Sequence, residues 1–320
     1  MGSMKPPPGE RPLTVTDRAL GGQADALRLR QFLIDSYALA GREFNWEPRR
    51  WEGMFWTVTA DQLADPGWGA GVQLWHTQDG SFVAAAIPDG PGDLALQVDP
   101  QQRWLEDDVL DWAEHHLARV GDAGSRVLDT WVFDWDTDRR DRLTARGYVP
   151  VAGWSWQNRR RRTSRAVEPR PLAVGYGLRN VDDSLADARR WVEATNAVFG
   201  HSTPVESYCT FLRSPSFNPQ LHIVVEAPDG AVAAFAGFTI DSANRVATLE
   251  PVGTTDGHRR LGLAQAAINE GLQRVARRGV DVVHVANWGS ADAGHLYAAL
   301  GFEHYATQTA WRKVVPGVNP

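Results

Sequence analysis

The stretch Glu250–Gly271, EPVGTTDGHRRLGLAQAAINEG, joins an apolar strand to an amphipathic helix through a loop rich in glycine and arginine. A connection that served packing alone would need neither two adjacent arginines nor the glycine that follows them. At a helix N-terminus the first backbone N–H groups have no intrahelical partner, and the helix dipole places positive charge there. The stretch therefore predicts a loop whose N–H groups face an anion.

Within this stretch we define the residues Arg259–Ala264, RRLGLA, as the cradle. Gly262 and Ala264 would let a bulky phosphate approach the backbone, while Arg259 and Arg260 add positive charge. We interpret the cradle as a binding site for a pyrophosphate. The alternative is an ordinary strand–helix loop with arginines on its surface, because Arg-x-x-Gly-x-Ala alone is a common pattern.

The composition limits the functional classes. A chain of 320 residues, 43% of them hydrophobic, can bury a large core and is long enough for two domains. No apolar run approaches the roughly 20 residues that a membrane helix needs, and no signal peptide is recognisable. Because Cys209 is the only cysteine, an internal disulfide is excluded and a cytoplasmic location is expected. The net charge of −6 argues against nucleic-acid binding and favours cationic small molecules.

The chain divides into two predicted domains. Residues 1–10 have no pattern and are expected to be a disordered tail or tag. The arginine-rich segment 158–171 ends in two prolines and predicts a linker between domains at 11–157 and 172–315. Because the protein is acidic overall, we interpret the arginine run as a solvated connection rather than a nucleic-acid patch.

The second half predicts alternating strands and helices. Hydrophobic spacing predicts a helix at 181–199, with Asp182 or Asp183 as its N-cap. The other predicted elements are strands at 221–226, 231–240, 245–254 and 280–286, helices at 261–278 and 290–300, and a final hairpin at 302–314. This mixture predicts an α/β fold with a mixed, mainly antiparallel twisted sheet flanked by helices.

Two further motifs follow the cradle in order along the chain. Asn287 comes after the next predicted strand, and the helical segment Leu296–Leu300, LYAAL, closes on Gly301-Phe302. With this order of elements, residues 172–315 resemble the GNAT superfamily of N-acetyltransferases. The dinucleotide motif Gly-x-Gly-x-x-Gly and the phosphate-loop motif Gly-Lys-Ser/Thr do not occur in the sequence.

The resemblance implies where acetyl-CoA would bind. Its pyrophosphate would lie on the cradle, and its pantetheine arm would lie between the strands 247–254 and 280–286. Asn287 would hydrogen-bond that arm. The implied contacts with acetyl-CoA are Val252, Gly253, Thr254, Arg259, Arg260, Leu261, Gly262, Leu263, Ala264 and Asn287, and no metal is implied.

The resemblance also implies catalytic residues for acyl transfer, which needs a base for the amine and an acid for the departing thiolate. Tyr297 would lie near the thioester sulfur and act as the acid; its alternative is a core tyrosine. Glu250 is the candidate base, directly or through water, or else a strand-end carboxylate that orients the substrate. His258 and His284 are alternative bases, the first expected in the phosphate loop and the second on a strand face.

The first half repeats this plan imperfectly. It predicts a helix at 23–37 and strands at 72–75, 82–87 and 94–98, and the segment Thr144–Tyr148, TARGY, is similar to the segment that ends in Gly301-Phe302.

The cradle is altered in this first copy. When the two halves are aligned on Arg103, Glu106 replaces the cradle glycine, Asp108 replaces the small residue, and Leu143 stands in the place of Tyr297. Together with Asp107, these carboxylates would repel a pyrophosphate. The first domain is therefore predicted to be a degenerate copy that has kept the fold and lost the cofactor.

These features predict an acetyl-CoA-dependent N-acetyltransferase that moves an acetyl group to a primary amine of a small molecule by direct attack in a ternary complex. The C-terminal domain is predicted to be catalytic. Alternatives are acetylation of the amine of a thiol precursor, as in tandem enzymes of this family, and a non-catalytic acetyl-CoA-binding or interaction protein. No nucleic-acid or membrane partner is expected, and the chain is expected to be a monomer or homodimer.

No motif identifies the acceptor. The aromatic and arginine-rich segment Phe44–Trp51, FNWEPRRW, is predicted to pack between domains rather than line a cleft.

Overall fold

The computed structural model describes residues 14–121, 125–168 and 170–316, so the predicted tail at 1–10 lies outside the described residues. In residues 14–168 the elements are β1 (Val15–Ala19), α1 (Gln23–Ala40), α2 (Pro48–Trp56), α3 (Ala60–Ala64), β2 (Gln73–Thr77), β3 (Phe82–Pro88), β4 (Asp93–Val98), α4 (Glu106–His116), β5 (Arg119–Val120), β6 (Arg126–Phe133), α5 (Thr137–Ala145) and β7 (Val149–Arg162). In residues 170–316 they are β8 (Gly177–Asn180), α6 (Leu185–Phe199), α7 (Val205–Phe211), β9 (His222–Glu226), β10 (Val232–Asp241), β11 (Val246–Thr254), α8 (Leu263–Arg277), β12 (Val282–Trp288), α9 (Ala291–Ala299) and β13 (Glu303–Val315).

The chain forms two compact units. Of the described residues, unit 1 comprises 14–47, 64–156 and 306–316, and unit 2 comprises 48–63 and 157–305. The predicted boundaries differ from this division at three segments. Residues 48–63 pack with the second half of the chain, residues 306–316 pack with the first, and the predicted linker at 158–171 belongs to unit 2.

Both units have the same sheet plan. In unit 1 the strand order is β1-β2-β3-β4-β6-β13, with parallel pairing only between β4 and β6 among these neighbours. In unit 2 the order is β8-β9-β10-β11-β12, and of these neighbours only β11 and β12 are parallel. The predicted mixed, mainly antiparallel sheets flanked by helices are confirmed.

The core of unit 2 forms between its sheet and α8. One stripe of α8 is buried, with each of its members 2% exposed or less: Leu263, Ala267, Ile268, Leu272 and Val275. These side chains pack with Ile223, Ala236 and Phe238 of the neighbouring strands. Burying each large apolar side chain stabilises the fold by about 1.5–3 kcal/mol. The stripe holds the N-terminus of α8 at the end of β11.

Most predicted elements of the second half are present, with ends that differ by a few residues. The N-cap of α6 was predicted wrongly. The cap is Ser184, whose hydroxyl accepts the N–H of Asp187 at 3.1 Å. Asp182 lies before the helix, where its carboxylate accepts the N–H of Ser184 at 2.8 Å. Asx turns of this kind compete with the cap position for the same side chain.

The predicted hairpin at 302–314 is also wrong, because these residues form the single strand β13. Residues 308–315 pair with β6 from Gln308↔Phe133 to Val315↔Arg126. Within unit 1 the Arg312 guanidinium donates two hydrogen bonds to the Asp129 carboxylate, at 2.6 and 2.7 Å. A partner strand distant in sequence therefore keeps β13 extended.

The predicted linker begins inside a strand, because β7 continues to Arg162. Arg161 is 3% exposed and donates to the backbone oxygens of Leu300 and Ala166, both at 2.8 Å. This arginine is therefore structural, and the interpretation of the whole run as a solvated connection is wrong at that position.

Candidate active site

The strands β11 and β12 separate after a short parallel ladder. Within the described ranges their pairing runs from Val246↔Val282 to Thr248↔His284 and ends there. The pairing of β11 with β10, in contrast, continues to Thr254. The outer halves of β11 and β12 consequently bound a gap in the sheet of unit 2.

A β-bulge lies where this gap opens. Along β10, Ala236 pairs with Val252 and Phe238 pairs with Leu249, so Glu250 and Pro251 lie opposite one residue, Gly237. A Cβ on that glycine would come within 2.8 Å of the Glu250 carbonyl oxygen, and glycine is therefore required at this position. A bulge bends its strand and re-aims the side chains beside it.

Two amides of β11 face the gap. Thr255 donates its N–H to Ala233 of the β10 side at 3.0 Å. Because N–H groups alternate along a strand, the N–H of Gly253 also faces β10, whereas those of Val252 and Thr254 face away from it. Glycine is also required at position 253, because a Cβ there would overlap the Phe235 ring.

The cradle caps the start of α8. Gly262 is the N-cap with φ 74°, and Arg260 also has a positive φ, 64°. The first helical hydrogen bond runs from Ala266 N–H to Gly262 O at 3.1 Å, so the earlier N–H groups project from the helix end. Residues in the left-handed region next to right-handed ones turn successive N–H groups to one side, which is typical of anion-binding loops.

The arginines at the cradle include one that the sequence analysis missed. Arg259 and Arg260 are exposed, and Arg259 forms an ion pair with Asp256 at 3.1 Å. Arg170, from the predicted linker, donates to Gln265 Oε1 at 2.8 Å. A Cβ on Gly262 would overlap the Arg170 guanidinium, so this third cation lies directly over the cradle. No local sequence signal distinguishes Arg170 from the other linker arginines.

Asn287 lies within β12 rather than after it, in the part of the strand that borders the gap. The side chain is 8% exposed, and its Nδ2 donates to Ser290 O at 3.3 Å. Its buried Oδ1 has no hydrogen-bond partner among the described residues. A buried acceptor without a partner costs about 1–3 kcal/mol, so a donor from a bound molecule would stabilise it.

Tyr297 and Glu250 are close enough to interact electrostatically. Tyr297 is 6% exposed on α9, with its ring centroid 5.8 Å from that of Phe302. Burial, and then the charge of Glu250, raise the pKa of Tyr297 well above its usual range. The hydroxyl therefore keeps its proton at neutral pH and can serve as a donor.

Glu250 is half exposed at the bulge, and Arg49 lies beside it. The Arg49 Nη2 atom is 3.9 Å from Glu250 Oε1, and the two side chains are 13% and 52% exposed. Arg49 belongs to α2 and to unit 2, although it lies in the first half of the sequence. The sequence singled out the segment Phe44–Trp51, which contains Arg49, but no role at the site was predicted for it.

Both alternative bases have other neighbours. The His258 Nδ1 atom is 2.8 Å from the Tyr176 hydroxyl oxygen, in the loop between β11 and the cradle. His284 is 5% exposed on β12, with its ring 5.7 Å from that of Tyr305. Of these three side chains, Glu250 is the most exposed.

The corresponding loop of unit 1 is built around a buried carboxylate. Glu106 is fully buried and accepts hydrogen bonds from Arg103 Nε at 2.9 Å and Arg139 Nη2 at 3.0 Å. Burial alone would raise the pKa of Glu106, but the charges and hydrogen bonds of Arg139 and Arg103 outweigh it and hold the pKa below its usual range. Leu143, which aligns with Tyr297, is fully buried and has no hydroxyl.

Two other kinds of feature are missing from the described residues. None of the helices there is both long and apolar enough to cross a membrane. Over the same ranges, no three His, Cys, Asp or Glu side chains are grouped so that they could hold a metal ion.

Residues 186–302 match the sequence model of the acetyltransferase (GNAT) family. A mycothiol acetyltransferase from Kineococcus radiotolerans is 30% identical over 201 residues, which are 59% of this chain and 63% of that protein. The chain thus aligns with less than two thirds of the length of this curated relative.

Solved structures match over nearly the whole chain. A GCN5-related N-acetyltransferase from Sphaerobacter thermophilus has a TM-score of 0.62 at 20% identity, covering 96% of this chain and 98% of its own. A tandem GNAT protein from the clavulanic acid biosynthesis pathway has a TM-score of 0.66 at 17% identity, covering 96% and 100%. These likenesses support the same fold class for both units, as in a tandem protein.

Proposed function

We propose that this chain, whose residues 186–302 match the sequence model of the acetyltransferase (GNAT) family, transfers the acetyl group of acetyl-CoA to a primary amine of a small molecule. The proposed catalytic part is unit 2. The observation that carries the proposal is the gap between β11 and β12, which has a proton donor, Tyr297, and a carboxylate, Glu250, beside it.

The residues present fit acetyl-CoA. The N–H groups of the cradle, with Arg259, Arg260 and Arg170, suit a pyrophosphate. The gap-facing amides of Val252 and Thr254 suit the amide groups of a pantetheine arm. The buried Oδ1 of Asn287 is an acceptor for an N–H of the same arm.

The proposed chemistry gives a role to each of two side chains, Glu250 and Tyr297. Glu250 accepts a proton from the acceptor ammonium, directly or through water, and the free amine attacks the thioester carbonyl carbon. The C–N bond forms, the C–S bond breaks, and Tyr297 donates its proton to the departing sulfur. The nitrogen then loses its second proton, which returns through water to Tyr297, and the amide is complete. When bound, acetyl-CoA supplies the activated acyl group, and this chain supplies position and proton transfer.

Release of free thiol from acetyl-CoA in the presence of a panel of primary amines tests this proposal. We expect thiol release that depends on both the amine and the enzyme, with the acetylated amine identified by mass spectrometry. Tight binding of acetyl-CoA without turnover of any amine would instead support a non-catalytic acetyl-CoA-binding protein.

A second acceptor class is favoured by the mycothiol acetyltransferase relative. We include in the panel amines that belong to thiol precursors. A kcat/KM for these compounds far above that for all other amines would assign the chain to this second class.

One molecule of acetyl-CoA is expected to bind per chain. In unit 1 the buried Glu106 carboxylate already binds the arginines that would attract an anion, and it would repel a phosphate in the same place. Isothermal titration calorimetry measures the stoichiometry directly. Two saturable sites of comparable affinity would contradict the predicted degeneracy of the first domain.

Arg170 is expected to strengthen binding of acetyl-CoA. Replacing Arg170 by alanine should raise the Kd about fivefold, because an exposed charge pair contributes about 1 kcal/mol. The effect should shrink at high salt. The matched control is Arg165→Ala, in the same segment, whose guanidinium lies against Gly301 instead of the cradle. Equal Kd values for the two variants would remove Arg170 from the site.

A further inference from the structure

The helix α2 is an integral part of unit 2. Its Glu52 side chain is fully buried and accepts hydrogen bonds from Ser216 N–H at 3.0 Å and from the Ser216 hydroxyl at 2.6 Å. Ser216 follows α7, so these bonds attach α2 to the region of α7. Because Arg49 lies less than one helical turn before Glu52, its backbone position is fixed by the same anchor.

The Arg49 guanidinium lies between Phe211 and Glu250. Its central carbon is 4.8 Å from the centroid of the Phe211 ring, a cation–π contact, and its Nη2 is 3.9 Å from Glu250 Oε1. At 3.9 Å the ion pair is too long for a direct hydrogen bond. The buried Nε atom has no hydrogen-bond partner among the described residues. A guanidinium carries five N–H donors, so Arg49 retains donors for a further acceptor.

Other buried polar atoms near Phe211 also lack partners in the described part of the chain. They are the hydroxyl of Tyr208, the hydroxyl of Ser214 and both ring nitrogens of His222, and each of these residues is 6% exposed or less. The rings of Tyr208 and His222 each lie 6.3 Å from that of Phe211. Native proteins leave few buried polar groups unsatisfied, and those few often belong to functional sites.

The charges around these groups define the ligand. Burial, and then the charge of Arg49, lower the pKa of His222 to about 3, so this ring is neutral. Arg49 is therefore the cation beside the candidate base, and Glu250 is the anion. A ligand that complements both charges presents an amine to Glu250 and an acidic group to Arg49.

The separation of the two side chains restricts the ligand further. Because Nη2 of Arg49 and Oε1 of Glu250 are only 3.9 Å apart, the two ligand groups must also be close together. An α-amino acid has its amine and carboxylate separated by one carbon atom, whereas a diamine or an amino sugar offers no carboxylate. Arginine is also suited to bind a carboxylate through two parallel hydrogen bonds.

We infer that Arg49 is a specificity-determining residue that binds the carboxylate of an α-amino acid acceptor, while Glu250 takes the proton of its amine. This inference rests on the proposed acetyltransferase function and names its acceptor class. It predicts N-acetylation of free amino acids and distinguishes them from amines without a carboxylate.

The test compares free α-amino acids with their carboxamides as acceptors, using wild type, Arg49→Gln and Arg49→Lys. The wild type should prefer the acid over the carboxamide. Arg49→Gln should raise KM for the amino acid about 10- to 100-fold, the range for losing a hydrogen bond to a charged group, with KM for acetyl-CoA unchanged. Arg49→Lys should recover part of the loss, because lysine restores the positive charge but not the two parallel N–H donors of a guanidinium. The carboxamide should be acetylated equally by wild type and Arg49→Gln.

The control is Arg50→Gln, which removes the neighbouring positive charge of the same helix and should leave the preference unchanged. An equal loss for acid and carboxamide in Arg49→Gln would show that Arg49 only positions Glu250, which would overturn the inference. Wild-type turnover of amines without preference for a carboxylate would also overturn it and would leave the acetyltransferase proposal intact. Thiol release with no amine at all would overturn both.

Discussion

Replacing Tyr297 by phenylalanine is expected to lower kcat by about 10²- to 10⁴-fold, the usual range for a positioned general acid. The aromatic ring that packs against Phe302 is kept, and only the hydroxyl is removed. KM for acetyl-CoA should therefore change little, since the loss concerns an interaction made in the transition state. The thiol of coenzyme A has an acidity near that of free cysteine, about 8.5, so the loss can fall at the lower end.

The pH dependence of this variant follows from the raised pKa of Tyr297. A tyrosine with a raised pKa keeps its proton beyond its ordinary value of about 10, so the acid is available at all working pH values. The ratio of wild-type to variant kcat should consequently stay constant from neutral pH to about pH 10. If the ratio already falls steeply before the pH has risen to about 9, the tyrosine loses its proton in the working range, which conflicts with its buried position.

The matched control for Tyr297 is Tyr305→Phe, because Tyr305 follows α9 and packs against His284. This variant should keep wild-type kcat. Wild-type turnover in Tyr297→Phe, with intact fold and unchanged affinity for acetyl-CoA, would make Tyr297 a core residue. Water would then be the proton donor.

Replacing Gly262 by glutamate is expected to abolish binding of acetyl-CoA. The new side chain would enter the space over the cradle that the Arg170 guanidinium borders, and its negative charge would repel a pyrophosphate. Calorimetry with the purified variant should show no heat of binding at concentrations that saturate the wild type.

The control Gly262→Ala separates the effect of the added charge from the effects of any side chain at this position, which are backbone strain and displacement of Arg170. Gly262 has φ 74°, so any side chain there costs about 1 kcal/mol or more. Alanine should weaken binding moderately, and glutamate far more strongly. If both variants bind acetyl-CoA like the wild type, the cradle does not bind the pyrophosphate. If both fail equally, strain at Gly262 or displacement of Arg170 by the added Cβ is the cause rather than the added charge.

The order of elements around the cradle could be predicted because its signals are local. Alternating apolar residues indicated β10 and β11, the glycine and arginine loop indicated a helix N-terminus, and the spacing in Leu263–Arg277 indicated α8. Each of these signals acts over a few residues, within one strand or a few helical turns. Tyr297 and Asn287 were found as candidates because their motifs stand at fixed places in that order.

The local signals failed where two of them compete for one position, or where a distant partner decides the structure. Ser184 caps α6, while Asp182 accepts the Ser184 N–H in a turn just before the helix. The final strand is not a hairpin because it pairs with β6, where Arg312 binds Asp129 from a position 183 residues away along the chain. Such pairing has no local signature.

By itself, therefore, the sequence determined the fold class and the cradle loop at a helix N-terminus, since turn chemistry and hydrophobic period are properties of neighbouring residues. Tyr297 and Glu250 became candidates through the resemblance to the GNAT superfamily. Only the tertiary structure decided that Arg170 lies over the cradle, that Glu106 is neutralised by arginines, and that α2 carries Arg49 to Glu250. These contacts depend on how the apolar faces of distant elements pack, and many arrangements of charged side chains are compatible with the same local pattern. The acceptor class is inferred from such contacts, which is why it could not be inferred from the sequence.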